Sequence, residues 1–322
     1  MSDALVRVVR GRKELAPLQA KFPGGLSLAI GNFDGVHRGH QALVQAAQDR
    51  AAARGATTAV LTFDPHPAQL FAPTLAPPLI VSLARRLELL AAAGARLIVV
   101  EPFDAAFAAI EAADFVSQVL CRDLDAREVV VGYDFSFGRE RAGDARLLAE
   151  VGASLNMGVT VVPRVSFGGL TCSSTKVREF VLEGRVDGAA LLLGRPFEIS
   201  GAVVHGAGRG KTLGVPTANV EPEGELLPRI GIYAGRATVL AGGAAAGLSR
   251  PCAISVGTNP QFGAAGAVGV EAHLLDFNGD LYGQRLRVDV LQRLRGEQRF
   301  ASVDALLTQI GDDVAQTRKI VS

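Results

Sequence analysis

The chain has 322 residues, 48% hydrophobic and 6% aromatic, ordinary for a globular protein and long enough for two domains with separate cores. With 33 Lys and Arg against 32 Asp and Glu, no global field recruits nucleic acid or an acidic membrane surface, so small anions must be bound locally. Cys121, Cys172 and Cys252 are widely spaced and form no Cys-x-x-Cys, which argues against a disulfide framework or a zinc knuckle and fits a reducing cytoplasm.

Met1 to Arg10 carries charges and no apolar core of a leader, and no run of about 18 apolar residues occurs, so neither secretion nor membrane spanning is expected. Leu26 to Ile30 reads as a short apolar strand. Gly39 to Arg54 sets Leu43, Ala46, Ala47 and Arg50 at helical spacing. Between them lies Gly31-Asn32-Phe33-Asp34-Gly35-Val36-His37-Arg38-Gly39-His40. Such a strand-to-helix junction favours anions, because helix-start N–H groups point at the ligand and glycine lets the backbone approach closely. His37 and His40 add donors that can follow charge as it builds on a phosphate oxygen.

Further along, Thr57 to Phe63 reads as a strand, Ser82 to Ala93 as a helix and Arg96 to Val100 as a strand. Helices over Asp114 to Leu120 and Ala142 to Met157 and strands over Glu128 to Gly132 and Val159 to Pro163 complete the first half. This alternation predicts a Rossmann-like parallel sheet covered on both faces, with ligands beyond the carboxyl ends of the strands. Asp64-Pro65-His66-Pro67 and Tyr133-Asp134-Phe135 follow two of those strands and set apolar surface beside a carboxylate, which suits a flat heterocycle with polar edges. Ser173 or Ser174 is a helix N-cap. Ser174 and Arg178 lie four apart on one helical face, where hydroxyls, a helix N-terminus and a guanidinium can converge on one triphosphate.

The pattern changes between Gly184 and Arg195, and the boundary is set between residues 186 and 187. After a short helix over Val186 to Leu193, strands are expected at Phe197 to His205, Tyr233 to Leu240, Cys252 to Val256, Val268 to Leu275 and Leu286 to Leu291. A compact antiparallel barrel with a terminal amphipathic helix over Ser302 to Arg318 is the economical fold. The loop His205 to Thr212 ends in Gly210-Lys211-Thr212 but lacks the spacing and following helix of a P-loop, leaving a backbone phosphate nest open at Gly208 and Gly210. Thr217 and Asn219 are two apart, so on an extended segment two hard oxygen donors share a face, as Mg²⁺ bridging ATP phosphates requires. In Val270-Glu271-Ala272-His273-Leu274, alternation puts Glu271 and His273 on one face, with Glu271 the candidate base.

The His37-Arg38-Gly39-His40 motif resembles that of nucleotidyltransferases, and its longer wording is similar to the adenylyltransferase half of the bacterial bifunctional riboflavin kinase/FAD synthetase family. Gly214-Val215-Pro216-Thr217-Ala218-Asn219 matches the Pro-Thr-Ala-Asn signature of riboflavin kinases, and the resemblance spans about residues 20 to 319. It implies ATP-dependent phosphorylation of riboflavin to FMN, then adenylyl transfer from ATP to FMN giving FAD and pyrophosphate. For the adenylyltransferase it implies His37 and His40 as catalytic groups, with Gly31, Phe33, Gly39, Ser174, Thr175 and Arg178 at ATP and Asp64, His66, Asp134 and Phe135 at flavin. For the kinase it implies Glu271 as base, Gly208, Gly210, Lys211, Thr217 and Asn219 at ATP, Thr217 and Asn219 at Mg²⁺, and Arg295 at flavin. Gln261 stands where the family usually has threonine. The partners expected are riboflavin, FMN and ATP, without nucleic acid or membrane, in a monomer or weak homo-oligomer. The rival readings are a nucleotidyltransferase fused to an unrelated β-domain, and a flavin carrier or sensor.

Overall fold

Apolar runs buried on both faces make the first half a parallel sheet. Its elements are β1 (Arg7–Arg10), β2 (Leu26–Ile30), α1 (Arg38–Arg54), β3 (Thr57–Asp64), α2 (Pro67–Phe71), α3 (Leu83–Ala92) and β4 (Leu97–Pro102). Then come α4 (Ala105–Ala108), α5 (Ala112–Asp114), a π-helical stretch Phe115–Asp123, β5 (Ala126–Gly132), β6 (Ser136–Phe137), β7 (Gly143–Asp144), α6 (Ala145–Ser154) and β8 (Gly158–Val162). A hairpin of β9 (Ser166–Phe167) and β10 (Leu170–Thr171) closes the half. This computed structural model describes residues 6–206, 210, 213–223, 225–241, 245–258 and 268–321.

The six-stranded order is β1-β4-β3-β2-β5-β8, with every pairing parallel. Alternate residues of β2 enter different cores: Leu26, Leu28 and Ile30 join Val116 and Val129, whereas Ala29 joins Val44 and Ala47 of α1. That double burial is why the run is apolar without alternation. The edge strand β1 was not expected: only Val9 of its four residues is buried, so its hydrophobic signal is weak. The helix expected from Ala142 starts instead at Ala145, because Gly143–Asp144 pairs with β6 and Asp144 caps the helix through Leu147 N (2.9 Å).

The second half begins with α7 (Ser174–Glu183) and α8 (Val186–Leu193). It continues with β11 (Phe197–Val204), β12 (Ala218–Pro222), β13 (Gly231–Ala241), β14 (Ser249–Thr258), β15 (Val268–Leu274), β16 (Arg285–Arg295) and a C-terminal helix Val303–Val321. The strands close into an antiparallel barrel ordered β11-β12-β15-β14-β13-β16. Val220, Ile254, Val256, Val270, Ala272 and Val288 fill its core. Strand β12 is the member that the sequence pattern showed only as an extended segment.

By packing, the chain divides into two units, Met1–Pro77 with Leu83–Cys172, and Pro78–Ser82 with Ser173–Ser322. Helix α7 thus groups with the barrel, upstream of the composition change at residue 186. Pro78–Ser82 groups there for a specific reason: Leu226 N donates to Leu79 O (2.7 Å), Ser82 N to Glu225 Oε1 (2.8 Å) and Arg178 Nε to Pro78 O (2.9 Å).

Candidate functional site

In the first unit β2 lies between β3 and β5, so the loops leaving their carboxyl ends emerge side by side. They carry Gly31 to His37, Asp64 to His66, and Tyr133 to Phe137. The β2 loop is tightly wound: Phe33 (φ 51°), Gly35 (φ 80°) and Val36 (φ 41°) all adopt left-handed backbone, a conformation costly for the two non-glycine residues and held here by the burial of Phe33 and Val36.

His37 caps α1, its Nδ1 accepting from His40 N (3.3 Å). The two imidazoles stack with centroids 3.7 Å apart, and Phe33 lies 5.1 Å from the His40 ring. Gly39 leaves room for the ring: a Cβ there would sit 3.0 Å from His37 Cε1 and Nδ1 and 3.1 Å from the Cys172 carbonyl oxygen, so one of these neighbours would have to give way. Burial first, then the neighbouring His37, then Arg86, hold the His40 pKa well below its ordinary value. His40 is therefore a neutral hydrogen-bonding group at physiological pH.

The flavin-side candidates are more varied. Half-buried Asp64 lies 4.0 Å from Arg10 Nη1, and His66 caps α2 by accepting from Ala68 N (3.1 Å). Asp134 and Tyr133 are exposed, whereas Phe135 stacks on Phe137 at 5.4 Å and packs against the core. Two groups escaped the sequence reading. Asp34 is 1% exposed, and Arg86 on α3 is also 1% exposed, with no motif around it. Ser173 proves to be the α7 cap (3.2 Å to Lys176 N). With it Ser174, Thr175 and Arg178 belong to the second unit.

In the second unit a cavity of about 590 Å³ brings together Gly210, Thr217, Glu271, Arg295, Phe300 and Asp313. Glu271 is register partner to Asn219 on one side and Ser255 on the other. Opposed residues in a ladder share a face, so the three are neighbours on the face opposite Val220, Val256 and Val270. Asn219 is buried and its Oδ1 has no hydrogen-bond partner among the described residues. Gly206 presses so closely on the Asn219 side chain that any Cβ would collide with it. His273 donates from Nδ1 to Pro216 O (2.7 Å), steadying the segment that leads into Thr217.

Ser255 and Asp313 are further members that sequence reasoning missed. Asp313, on the C-terminal helix, is 4% exposed and takes Arg295 Nη2 at 2.7 Å and Nε at 3.0 Å. Gly208, Lys211 and Gln261 lie outside the described residues.

Two family models match the chain, FAD synthetase over residues 19–176 and riboflavin kinase over residues 193–321. The second match removes the reading of an unrelated β-domain. The bifunctional riboflavin kinase/FMN adenylyltransferase of Pseudomonas fluorescens is 38% identical over 98% of this chain and 98% of its own. That of Escherichia coli (strain K12) is 38% identical over 98% and 97%. A crystal structure of a macrolide-efflux protein from Streptococcus pneumoniae shares the fold with a TM-score of 0.83 and 29% identity, covering 97% of this chain and 99% of that one. Among the described residues no helix is long and apolar enough to cross a membrane. Two sites on two units, each matched in order by its own family model and both spanned by relatives aligned almost end to end, make this chain a member of the bifunctional riboflavin kinase/FMN adenylyltransferase family.

Proposed function

We propose that the second unit phosphorylates riboflavin with ATP and that the first adenylylates the resulting FMN with a second ATP, releasing FAD and pyrophosphate. The observation that carries this reading is the cavity in which Thr217, Glu271 and Arg295 converge, with the neighbouring Asn219 Oδ1 buried and without a hydrogen-bond partner among the described residues. Glu271 takes the proton of the ribityl 5′-hydroxyl as its oxygen attacks the γ-phosphorus of ATP; ADP leaves with the bridging electrons. Arg295 is assigned to the flavin, and Gly208, Gly210 and Lys211 are assigned to ATP. A hydroxyl and an orphaned carboxamide oxygen are hard donors of the kind Mg²⁺ takes, so Thr217 and Asn219 are the residues that would hold it. When bound, the ion neutralises phosphate charge.

In the first unit an FMN phosphate oxygen attacks the α-phosphorus of ATP, and pyrophosphate departs. His37 and the neutral His40 donate to oxygens on which charge accumulates, at the positive end of α1. Gly31, Phe33 and Gly39 are assigned to ATP and Asp64, His66, Asp134 and Phe135 to the flavin, and the family resemblance also assigns Ser174, Thr175 and Arg178 to the nucleotide phosphates. Positioning and charge neutralisation suffice for both steps, with no covalent enzyme intermediate. The chain acts on soluble substrates in the cytoplasm, as a monomer or weak homo-oligomer, and its net charge of +1 provides no global field for nucleic acid or an acidic membrane.

The test is to incubate the chain with riboflavin, ATP and Mg²⁺ and to separate the flavins. FMN and FAD are expected, and chelation of the metal stops both. His40→Ala removes FAD and spares FMN, whereas Glu271→Ala removes FMN and spares FAD made from supplied FMN. A folded chain yielding neither product favours the carrier or sensor reading and refutes this one.

A further inference from the structure

Arg86 is an anomaly in the first unit. A guanidinium cannot discard its charge at physiological pH, so complete burial demands a reason. Its Nη1 donates to Asn32 O (2.9 Å), Phe63 O (3.3 Å) and Thr62 Oγ1 (3.4 Å). Thr62 Oγ1 in turn donates to the same Asn32 carbonyl (3.1 Å). Asn32 lies in the loop leaving β2, and Thr62 and Phe63 are near the end of β3. One nitrogen thus ties together the exits of the two strands whose loops carry the histidines and Asp64. Nε and Nη2 are buried without a hydrogen-bond partner among the described residues. Asp34 and Asp64 supply nearby negative charge, and both act to hold the guanidinium protonated against its burial.

A merely structural tie would satisfy all five N–H groups or be replaced by an apolar side chain, since a half-satisfied buried cation is less stable than either. What the arrangement provides instead is a fixed cation beneath a loop whose ligand is an anion. We infer that Arg86 is a positioning residue of the adenylyltransferase site: it fixes the β2 and β3 loop exits against each other and keeps a permanent positive charge beneath the β2-to-α1 junction that bears His37 and His40, where charge builds during adenylyl transfer. The inference rests on the first unit being the adenylyltransferase. Failure of the unaltered chain to make FAD would remove that reading, whereas the comparison below concerns Arg86 alone.

The experiment compares Arg86→Met and Arg86→Lys in the full chain, measuring FAD formation from FMN and ATP and, in the same preparations, riboflavin phosphorylation as the folding control. Loss of one charged interaction aimed at a developing anion predicts a fall in kcat of about tenfold to a hundredfold in Arg86→Met. KM for ATP should stay within about threefold, because the effect belongs to the transition state rather than to ground-state binding. Arg86→Lys, which keeps the charge but cannot make the three-way tie, should fall between Arg86→Met and the unaltered chain. Wild-type kcat in both variants overturns the inference, as does a loss carried wholly by KM. So does an equal loss in both variants with unchanged kinase activity, because retained charge would then count for nothing. Should Arg86→Met fail to fold, Arg86→Lys decides: an intermediate kcat with a wild-type kinase rate supports the assignment, and a wild-type kcat refutes it.

Discussion

Gly39→Ala isolates the placement of the His37 ring from everything else in the first unit. Two opposing effects on stability are of similar size. Alanine in place of glycine favours a helix by up to about 1 kcal/mol. Against that, the new Cβ lies 3.0 Å from His37 Cε1 and Nδ1 and 3.1 Å from the Cys172 carbonyl oxygen, roughly half an ångström inside the optimal carbon contact of about 3.5–4.0 Å. The carbonyl is main chain, so the ring is the part free to move. Its cap bond to His40 N, already 3.3 Å, is then lost at a cost of about 1 kcal/mol. Stability therefore changes little. Chemistry does not escape, because a displacement of about 1 Å in a reacting group can cost about a hundredfold. Half that distance predicts a fall of about tenfold in kcat for FAD formation. The assay is steady-state FAD formation from FMN, with riboflavin phosphorylation and the thermal unfolding midpoint measured in parallel. Unchanged FAD formation would refute the steric argument. So would a loss that came with a drop of several degrees in the midpoint, since instability rather than ring placement would then explain it.

Two other outcomes follow from groups in each unit. Burial, then His37, then Arg86 lower the folded pKa of His40 below its unfolded value near about 6.5, so the folded state binds fewer protons there than the unfolded one. The stability this group contributes is complete above about pH 6.5 and is lost as pH falls toward the folded value. Denaturant unfolding between about pH 7.5 and pH 5 should accordingly show a shallower decline in His40→Gln than in the unaltered chain, and identical slopes would count against the burial of that ring. In the second unit, Asp313→Asn leaves Arg295, only 15% exposed, without its anionic partner. The expected loss is about 3 kcal/mol for breaking one side of a buried pair, together with a raised KM for riboflavin and unaltered FAD formation from FMN. A change below about 0.5 kcal/mol in chemical unfolding would mean that the pair contributes nothing to holding the C-terminal helix against the pocket.

Much of this protein is legible in one dimension because its signals are local. The β2-to-α1 junction is a contiguous stretch whose glycines, cap and histidines follow one another, so the cap of α1 and the Phe33 and His37 rings beside His40 are written within ten residues. The same holds for Thr217 to Asn219 and for Val270 to Leu274, where alternation alone separates Glu271 from the barrel core. Elements with weak local signals were missed or shifted. Strand β1 buries one residue, β12 is short and preceded by glycine and proline, and the start of α6 depended on whether Gly143 and Asp144 would find a partner in β6.

What only the tertiary structure decided are relations between residues far apart in the chain. Pairing of β12, β15 and β14 sets Asn219, Glu271 and Ser255 in one row, and packing of the C-terminal helix brings Asp313 to Arg295. Burial of Arg86 between loop exits 54 and 23 residues away in sequence could not be read from its helix, where an arginine in Leu83-Ala84-Arg85-Arg86-Leu87 looks like solvated surface. Sequence patterns report the period of an element and the chemistry of a contiguous loop. Which face of a helix is roofed by which strand ends, and hence which charge is forced out of water, depends on packing across the sheet, and that leaves no mark on neighbouring residues.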